Sequence, residues 1–258
     1  MKRAMAWLRL FRAVNLPTVP GDVFVGAAAA FTTGGLAAQS HIDMYWSARM
    51  ISSVWWAAAA SVFIYAFGLA QNDIMGAKTD KGRPISDGEI SMDSALAAAT
   101  ACLGAALGCA YMGGLLDDCM SLRSAWPWTA LALVLAITVY NRFKSWWMMG
   151  FCRALNVMLG SAAAVGTLNT RAIWLAVLWW LYISLVTLYS EGEENDPAKK
   201  RRVGMLVGGI VYLQLLALLA LALAFPRVAA VRTLLVAGAV MLAVLRVFKH
   251  ALPRVSAS

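Results

Sequence analysis

Residues 71–91 read QNDIMGAKTDKGRPISDGEIS, and the meaning of this stretch decides the fold. Asp73, Lys78, Asp80, Lys81 and Arg83 crowd together directly after an apolar run that ends at Ala70. In a soluble domain such a loop is unremarkable. Here it interrupts a chain of 258 residues with 61% hydrophobic and 14% charged side chains and a mean hydropathy of +0.69. Globular proteins carry about a quarter charged residues, so carboxylates and cations collected at the mouth of an apolar segment call for a reason.

Outward from this loop, apolar runs recur near 16–34, 50–70, 92–114, 125–141, 147–167, 172–189, 204–225 and 228–247. Each is about as long as the ~20 residues a helix needs to cross a bilayer. Pro17, Pro20, Gly21 and Asp22 break the first run; a membrane helix tolerates such breaks only where neighbours or water satisfy the freed backbone. The expectation is all-α: a polytopic transmembrane helical bundle of about eight spans, one domain over 1–258, with no soluble domain attached.

The net charge is +9, but its distribution argues against a nucleic-acid partner. Sixteen of the 22 Lys and Arg residues fall at the N-terminus and in every second connection. Arg49, Arg123, Arg171, Arg227 and Arg232 fall on the opposite side, and Arg153 lies inside a span. This is the positive-inside pattern, which puts both termini and both polar loops in the cytoplasm and close to membrane lipids. The start, MKRAMAWLRLFRAVNLP, is basic, but Arg9 and Arg12 interrupt any signal-peptide core; it is expected to be retained as a surface helix. Cys102, Cys109, Cys119 and Cys152 lack metal-ligand spacing, and His41 and His250 are the only histidines, so zinc or haem ligation is not expected.

A second polar cluster on the basic side, TLYSEGEENDPAKKRR at 187–202, follows the sixth span. If the second helix continues past Ala70, Asn72, Gly76 and Asp80 share a face and Asp73 sits beside it. Thr187, Glu191 and Asn195 form a similar stripe, with Glu193, Glu194 and Asp196 nearby. Hard cations such as Mg²⁺ take carboxylate and amide oxygens and share their coordination with phosphates. Lys78, Lys81 and Arg83 suit the remaining phosphate oxygens. The plain alternative is a solvated charged loop, and for the second cluster taken alone it is the better reading.

The order of residues in the first loop resembles the first signature of the UbiA superfamily of intramembrane prenyltransferases, of which this chain would be a divergent member. The family pattern is Asn-Asp-x-x-Asp-x-x-x-Asp followed by an Arg-Pro turn. Asn72, Asp73 and Asp80 match it, GRPISDGEIS supplies the turn, and Gly76 stands where the middle aspartate is expected. VYNRFK sets Tyr140 and Lys144 four residues apart, similar to the family's Tyr-x-x-x-Lys. Glu191 and Asn195 occupy the place of its second Asp-x-x-x-Asp motif. The resemblance covers most of the chain through residue 202, although nine spans are usual in the family and eight are visible here.

The resemblance implies an enzyme that uses Mg²⁺ to transfer a prenyl group from a polyprenyl diphosphate to an aromatic or lipid acceptor within the membrane. It implies metal binding by Asn72, Asp73, Asp80 and Glu191, and catalytic roles for Asp73, Asp80 and Lys144. Lys81, Arg83 and Tyr140 fall to the diphosphate. Asp73 and Asp80 are both expected in a wet loop, and an aspartate at 76 would share the face of Asn72 and Asp80. Arg153 and Asn156 recur at helical spacing in the fifth span and are expected to line a cavity. A charge at that depth faces either a polar cavity or a partner that holds helices together, and both remain open. Arg12 and Asn15 precede the first span and are expected at the substrate, unless Arg12 only snorkels to headgroups. Trp55, Trp56, Trp146, Trp147, Trp179 and Trp180 are read mostly as interface or lipid-facing residues, and Asp117 and Asp118 as a solvated turn. A rival from another class is a non-catalytic lipid-binding or transport component on the same fold, and Gly76 and the irregular second motif keep it in play.

Overall fold

The computed structural model describes residues 2–13, 15–32, 44–115, 125–192 and 196–251. His41, Asp117, Asp118, Cys119, Arg123 and 193–195 lie outside the described residues. Among the described residues there are helices and no strands. The helices are α1 (Lys2–Leu10), α2 (Val19–Phe31, preceded by a 3₁₀ turn at Leu16–Thr18), α3 (Met44–Gly76), α4 (Met92–Leu115) and α5 (Ala125–Phe143). They continue with α6 (Trp146–Val165), α7 (Thr170–Ser190), α8 (Pro197–Ala224) and α9 (Ala229–Ala251). Each of the eight expected spans coincides with one of α2 to α9. Six of these helices, α3, α4 and α6 to α9, are long and apolar enough to cross a membrane. Leu107, Leu131, Trp174, Leu185, Leu216 and Val240 turn outward, as lipid-facing side chains do in an integral membrane protein.

The interrupted first span turns out to be the centre of the bundle. Pro17 lies in the 3₁₀ turn and Pro20 in the first turn of α2, where a missing N–H costs nothing. Every residue of α2 is buried, packed among α3, α6, α7, α8 and α9. Its small side chains allow this. A Cβ on Gly26 would lie 1.8 Å from the Val157 carbonyl oxygen, and one on Gly160 1.9 Å from that of Val23. The α2 and α6 backbones therefore touch at two reciprocal glycines, as small residues permit in membrane helices.

At one end of the bundle α1 clasps the loop between α3 and α4. Ala6 and Leu10 bury against Ile85 and Ile90, and Arg9 pairs with Glu89. At the other end Arg171 donates to Thr32 and the amide of Ala125 to the carbonyl of Gly166.

Candidate functional site

The helix α3 runs on to Gly76, six residues past the expected end of its span. It carries Asn72 and Asp73 with it, both buried. Asp73 is thus not in a wet loop, because α3 carries it and its buried carboxylate lies against Arg83. Asp80 lies beyond the helix, but its amide donates to the carbonyl of Gly76 at 2.8 Å. This turn folds the Asp80 carboxylate back over position 76. A Cβ on Gly76 would sit 2.4 Å from Asp80 Oδ2, so Asp80 already fills the space an aspartate at 76 was expected to use.

The Arg-Pro turn is held by its own hydrogen bonds. The Arg83 amide donates to Ser86 Oγ at 3.1 Å, and the Asp87 amide to the Arg83 carbonyl at 2.9 Å. The Glu89 and Ile90 amides both donate to the Pro84 carbonyl. With its backbone fixed, Arg83 reaches across the loop: Nη1 meets Asp73 Oδ1 at 2.7 Å and Nη2 meets Asp80 Oδ2 at 3.0 Å. One guanidinium thus bridges both motif carboxylates, a strongly favoured geometry.

The Lys144 side chain donates to Asn72 Oδ1. Burial and the nearby Arg83 push its ammonium below the usual lysine pKa. Asn141, one turn earlier, donates Nδ2 to the Gly68 carbonyl at 2.9 Å and to Gln71 Oε1 at 2.8 Å, which pins α5 to α3.

These elements enclose a cavity of about 330 Å³ between α3, α5 and α6. Arg12, Asn72, Asp80, Arg83 and Lys144 gather at its mouth, and Leu69, Leu133, Ile137 and Met149 supply apolar wall. Tyr140, Arg153 and Asn156 also line it. Of the residues expected at the site, Asp73 stands behind Arg83 instead of on the wall. Asn15 shapes the 3₁₀ turn through its carbonyl, which accepts from the Thr18 amide and hydroxyl. Lys81 is exposed to solvent. Glu191 caps the end of α7, with its carbonyl accepting from Lys199 Nζ at 2.6 Å. None of these four is on the cavity wall.

Deeper in, Arg153 finds a carboxylate that sequence reading took only for a break in a span. Asp22 is fully buried. Its Oδ2 lies 2.8 Å from Arg153 Nε, and its Oδ1 accepts from Arg153 Nη2 at 3.2 Å, Trp179 Nε1 at 2.8 Å and Gln214 Nε2 at 2.7 Å. Trp179 is accordingly a core residue and not a lipid-facing one. Both readings of Arg153 hold at once, since it has a helix-joining partner and also faces the cavity. The signal for Asp22 was present in the sequence: a carboxylate inside an apolar helix needs a cation, and Arg153 was the one cation available inside a span.

Among the described residues no three His, Cys, Asp or Glu side chains cluster as a metal cage. Mg²⁺ does not require one. It is ordinarily held by one or two carboxylates and completed by water and substrate phosphates; Asp80 and Asn72 present hard oxygens of that kind at the mouth, with Asp73 behind them across Arg83. The donor set fits a metal shared with a phosphorylated substrate.

The sequence profile of the UbiA prenyltransferase family matches residues 26–255. No curated protein matches the chain. Among solved structures, it is similar to a UbiA homologue from Archaeoglobus fulgidus bound to GPP and Mg²⁺, at 17% identity and a TM-score of 0.49, covering 96% of this chain and 87% of that one. The same homologue bound to DMAPP and Mg²⁺ gives the same values. A digeranylgeranylglyceryl phosphate synthase is similar at 13% identity and a TM-score of 0.48, covering 99% of this chain and 92% of that one.

Proposed function

The chain belongs to the UbiA prenyltransferase family, and from that premise we propose that it transfers a prenyl group from a polyprenyl diphosphate to an aromatic or lipid acceptor inside the membrane. The observation that carries this reading is the cavity itself: cations at a polar mouth, an apolar wall behind them, and a bundle of membrane helices around both.

Arg12, Arg83 and Lys144 hold the diphosphate by charge-assisted hydrogen bonds, with Tyr140 beside them and Lys81 at the solvent edge of the loop. As the carbon–oxygen bond of the donor breaks, negative charge grows on the departing diphosphate, and these fixed cations stabilise it where it develops. The apolar wall binds the chain of the donor and keeps water from the allylic cation. Asn72, Asp73 and Asp80 are the residues that would hold Mg²⁺ from α3 and its turn, and Glu191 at the end of α7 would be the ligand from the second motif. When bound, the metal supplies further positive charge to the leaving group. Arg83 then exchanges part of its hold on the two carboxylates for phosphate oxygens. The polar mouth faces the cytoplasm, following the basic asymmetry of the loops.

The test is incubation of the purified protein with labelled prenyl diphosphates of several lengths, Mg²⁺ and a panel of acceptors. Release of inorganic diphosphate is the expected result. Binding of the donor without any release would instead support the non-catalytic lipid-binding component.

A further inference from the structure

We infer that the inner part of the cavity is a subsite for an uncharged acceptor, one offering a hydroxyl or carbonyl to Arg153, because Asp22 already neutralises that guanidinium. The inference rests on the donor reading above and deepens it by naming the acceptor's charge class.

Depth separates this region from the diphosphate site. Arg153 lies eight residues beyond Ser145, the N-cap of α6 that follows Lys144 at the mouth, which at the helical rise of ~1.5 Å per residue puts it roughly 12 Å further in. Ser61, Asn156 and Arg153 share the cavity wall there. Ser61 Oγ donates to Asn156 Oδ1 at 2.6 Å, and Asn156 Nδ2 reaches the Val19 carbonyl at 3.5 Å. A prenyl chain is pure hydrocarbon and offers these groups nothing. Their place on the wall fits a second, polar ligand beside the chain.

The charge balance then decides what kind of ligand. Asp22 engages Nε and Nη2 of Arg153, and Thr18 contributes its carbonyl to Nη2 at 3.3 Å. The pair is buried and further fixed by Gln214, whose Nε2 also donates to the Thr18 carbonyl at 2.9 Å. An acceptor bearing a carboxylate or phosphate here would set two anions against one cation in a medium that screens poorly, which is costly. A hydroxyl or carbonyl accepts from the guanidinium edge that Asp22 leaves and buries no net charge.

The test uses the full chain in lipid nanodiscs loaded with geranyl S-thiolodiphosphate and Mg²⁺. Two matched probe pairs are titrated calorimetrically: 4-hydroxybenzamide against 4-hydroxybenzoate, and a monoacylglycerol against its phosphate ester. The uncharged member should bind about tenfold tighter or better in whichever pair binds. Asp22→Asn, which frees the Arg153 charge, should shift the ratio toward the charged member. A purely structural pair would not move this selectivity. If Asp22→Asn does not fold, Asp22→Leu with Arg153→Met removes both charges together and should lose the uncharged probe while keeping the thiolodiphosphate. Equal or tighter binding of the charged probes to the unaltered protein, an unmoved ratio in Asp22→Asn, or no binding by either pair overturns the inference. Failure of the thiolodiphosphate to bind would instead count against the donor reading.

Discussion

Arg12 and Lys144 are the only non-glycine residues with positive φ among the described residues, at 40° and 52°, and both line the mouth of the same cavity. Each sits just past the end of a helix. The Ala13 amide donates to the Leu8 carbonyl and the Arg12 amide to the Arg9 carbonyl, a Schellman pairing with Arg12 in the left-handed position. The Lys144 amide donates to the Tyr140 carbonyl, the simpler left-handed cap. Glycine is the ordinary occupant of both positions because it has no Cβ to clash. Two helix caps therefore hold strained cations where relaxed glycines would serve the fold better, and such outliers concentrate at binding sites.

The trade has a measurable form. Lys144→Gly should raise stability by up to about 1 kcal/mol by relieving the left-handed strain, while weakening the binding of a non-hydrolysable prenyl diphosphate analogue severalfold or more. Thermal unfolding and analogue titration on the same preparation read both effects. A variant less stable than the parent would show that the Lys144 contact to Asn72 outweighs the strain.

Lys144 also sets a pH dependence. Its folded pKa is lowered by burial and by Arg83, so folding disfavours the ammonium. That cost is fully present below the folded pKa and is relieved as pH rises to the unfolded value. Donor binding runs the other way, because the diphosphate favours the charged lysine and binding takes up a proton in this window. Analogue affinity should fall as pH climbs into the alkaline range, earlier than an ordinary lysine would cause, and Lys144→Arg should flatten the fall. A profile identical in the parent and Lys144→Arg would assign the dependence elsewhere.

The two motif carboxylates should separate in their structural cost. Both pair with Arg83, but Asp80 is partly exposed on a turn whereas Asp73 is buried on α3. Asp80→Asn should leave thermal stability near that of the parent while donor turnover falls by about 3 kcal/mol of transition-state stabilisation. Asp73→Asn should lose comparable activity and also some stability, since it weakens a buried charge-assisted bond. Diphosphate release and thermal melts distinguish them; parental turnover in both would remove the metal assignment.

Much of this site was legible because its chemistry is carried by residue types that apolar helices otherwise avoid. Asn72, Asp80, Arg83 and Lys144 stood out at the ends of apolar runs, and Arg153 with Asn156 by helical spacing inside one. What stayed hidden depended on tertiary packing. Pro20 and Asp22 together resembled a broken span, yet Pro20 only begins α2, and Asp22 is affordable because α6, α7 and α8 bring it Arg153, Trp179 and Gln214. Asn141 carried no motif to flag its bonds to α3. The reach of Arg83 back to Asp73 depends on a turn whose hydrogen bonds no periodicity encodes.

The basic asymmetry of the loops predicts which side of the membrane each end of the bundle faces. In a cysteine-free background, cysteines at the exposed positions Lys81 and Lys200 should be labelled by an impermeant reagent only from the cytoplasmic side. One at Arg171, at the opposite end of α7, should be labelled only from the other. Labelling of 81 and 200 from opposite faces would break the shared site.

Gly76 offers the sharpest test of how the first motif works. Because the Asp80 carboxylate occupies the space beside the Gly76 Cα, Gly76→Asp does not simply add a ligand; it must first push Asp80 off Arg83. The single variant should therefore bind the prenyl diphosphate analogue no better than the parent, and Gly76→Ala should weaken binding by the same displacement without supplying an oxygen. Combining Gly76→Asp with Asp80→Ala clears the space and returns a carboxylate to the same face of α3. This double variant should recover part of the Mg²⁺-dependent binding that Asp80→Ala loses alone. The non-additive pattern, in which the double variant loses less than the two single losses combined, is what a shared volume demands. Titrating the analogue with and without Mg²⁺ across the parent, the two single variants Gly76→Asp and Asp80→Ala and their combination reads it directly, and simple additivity would mean that Asp80 and position 76 do not compete for one place.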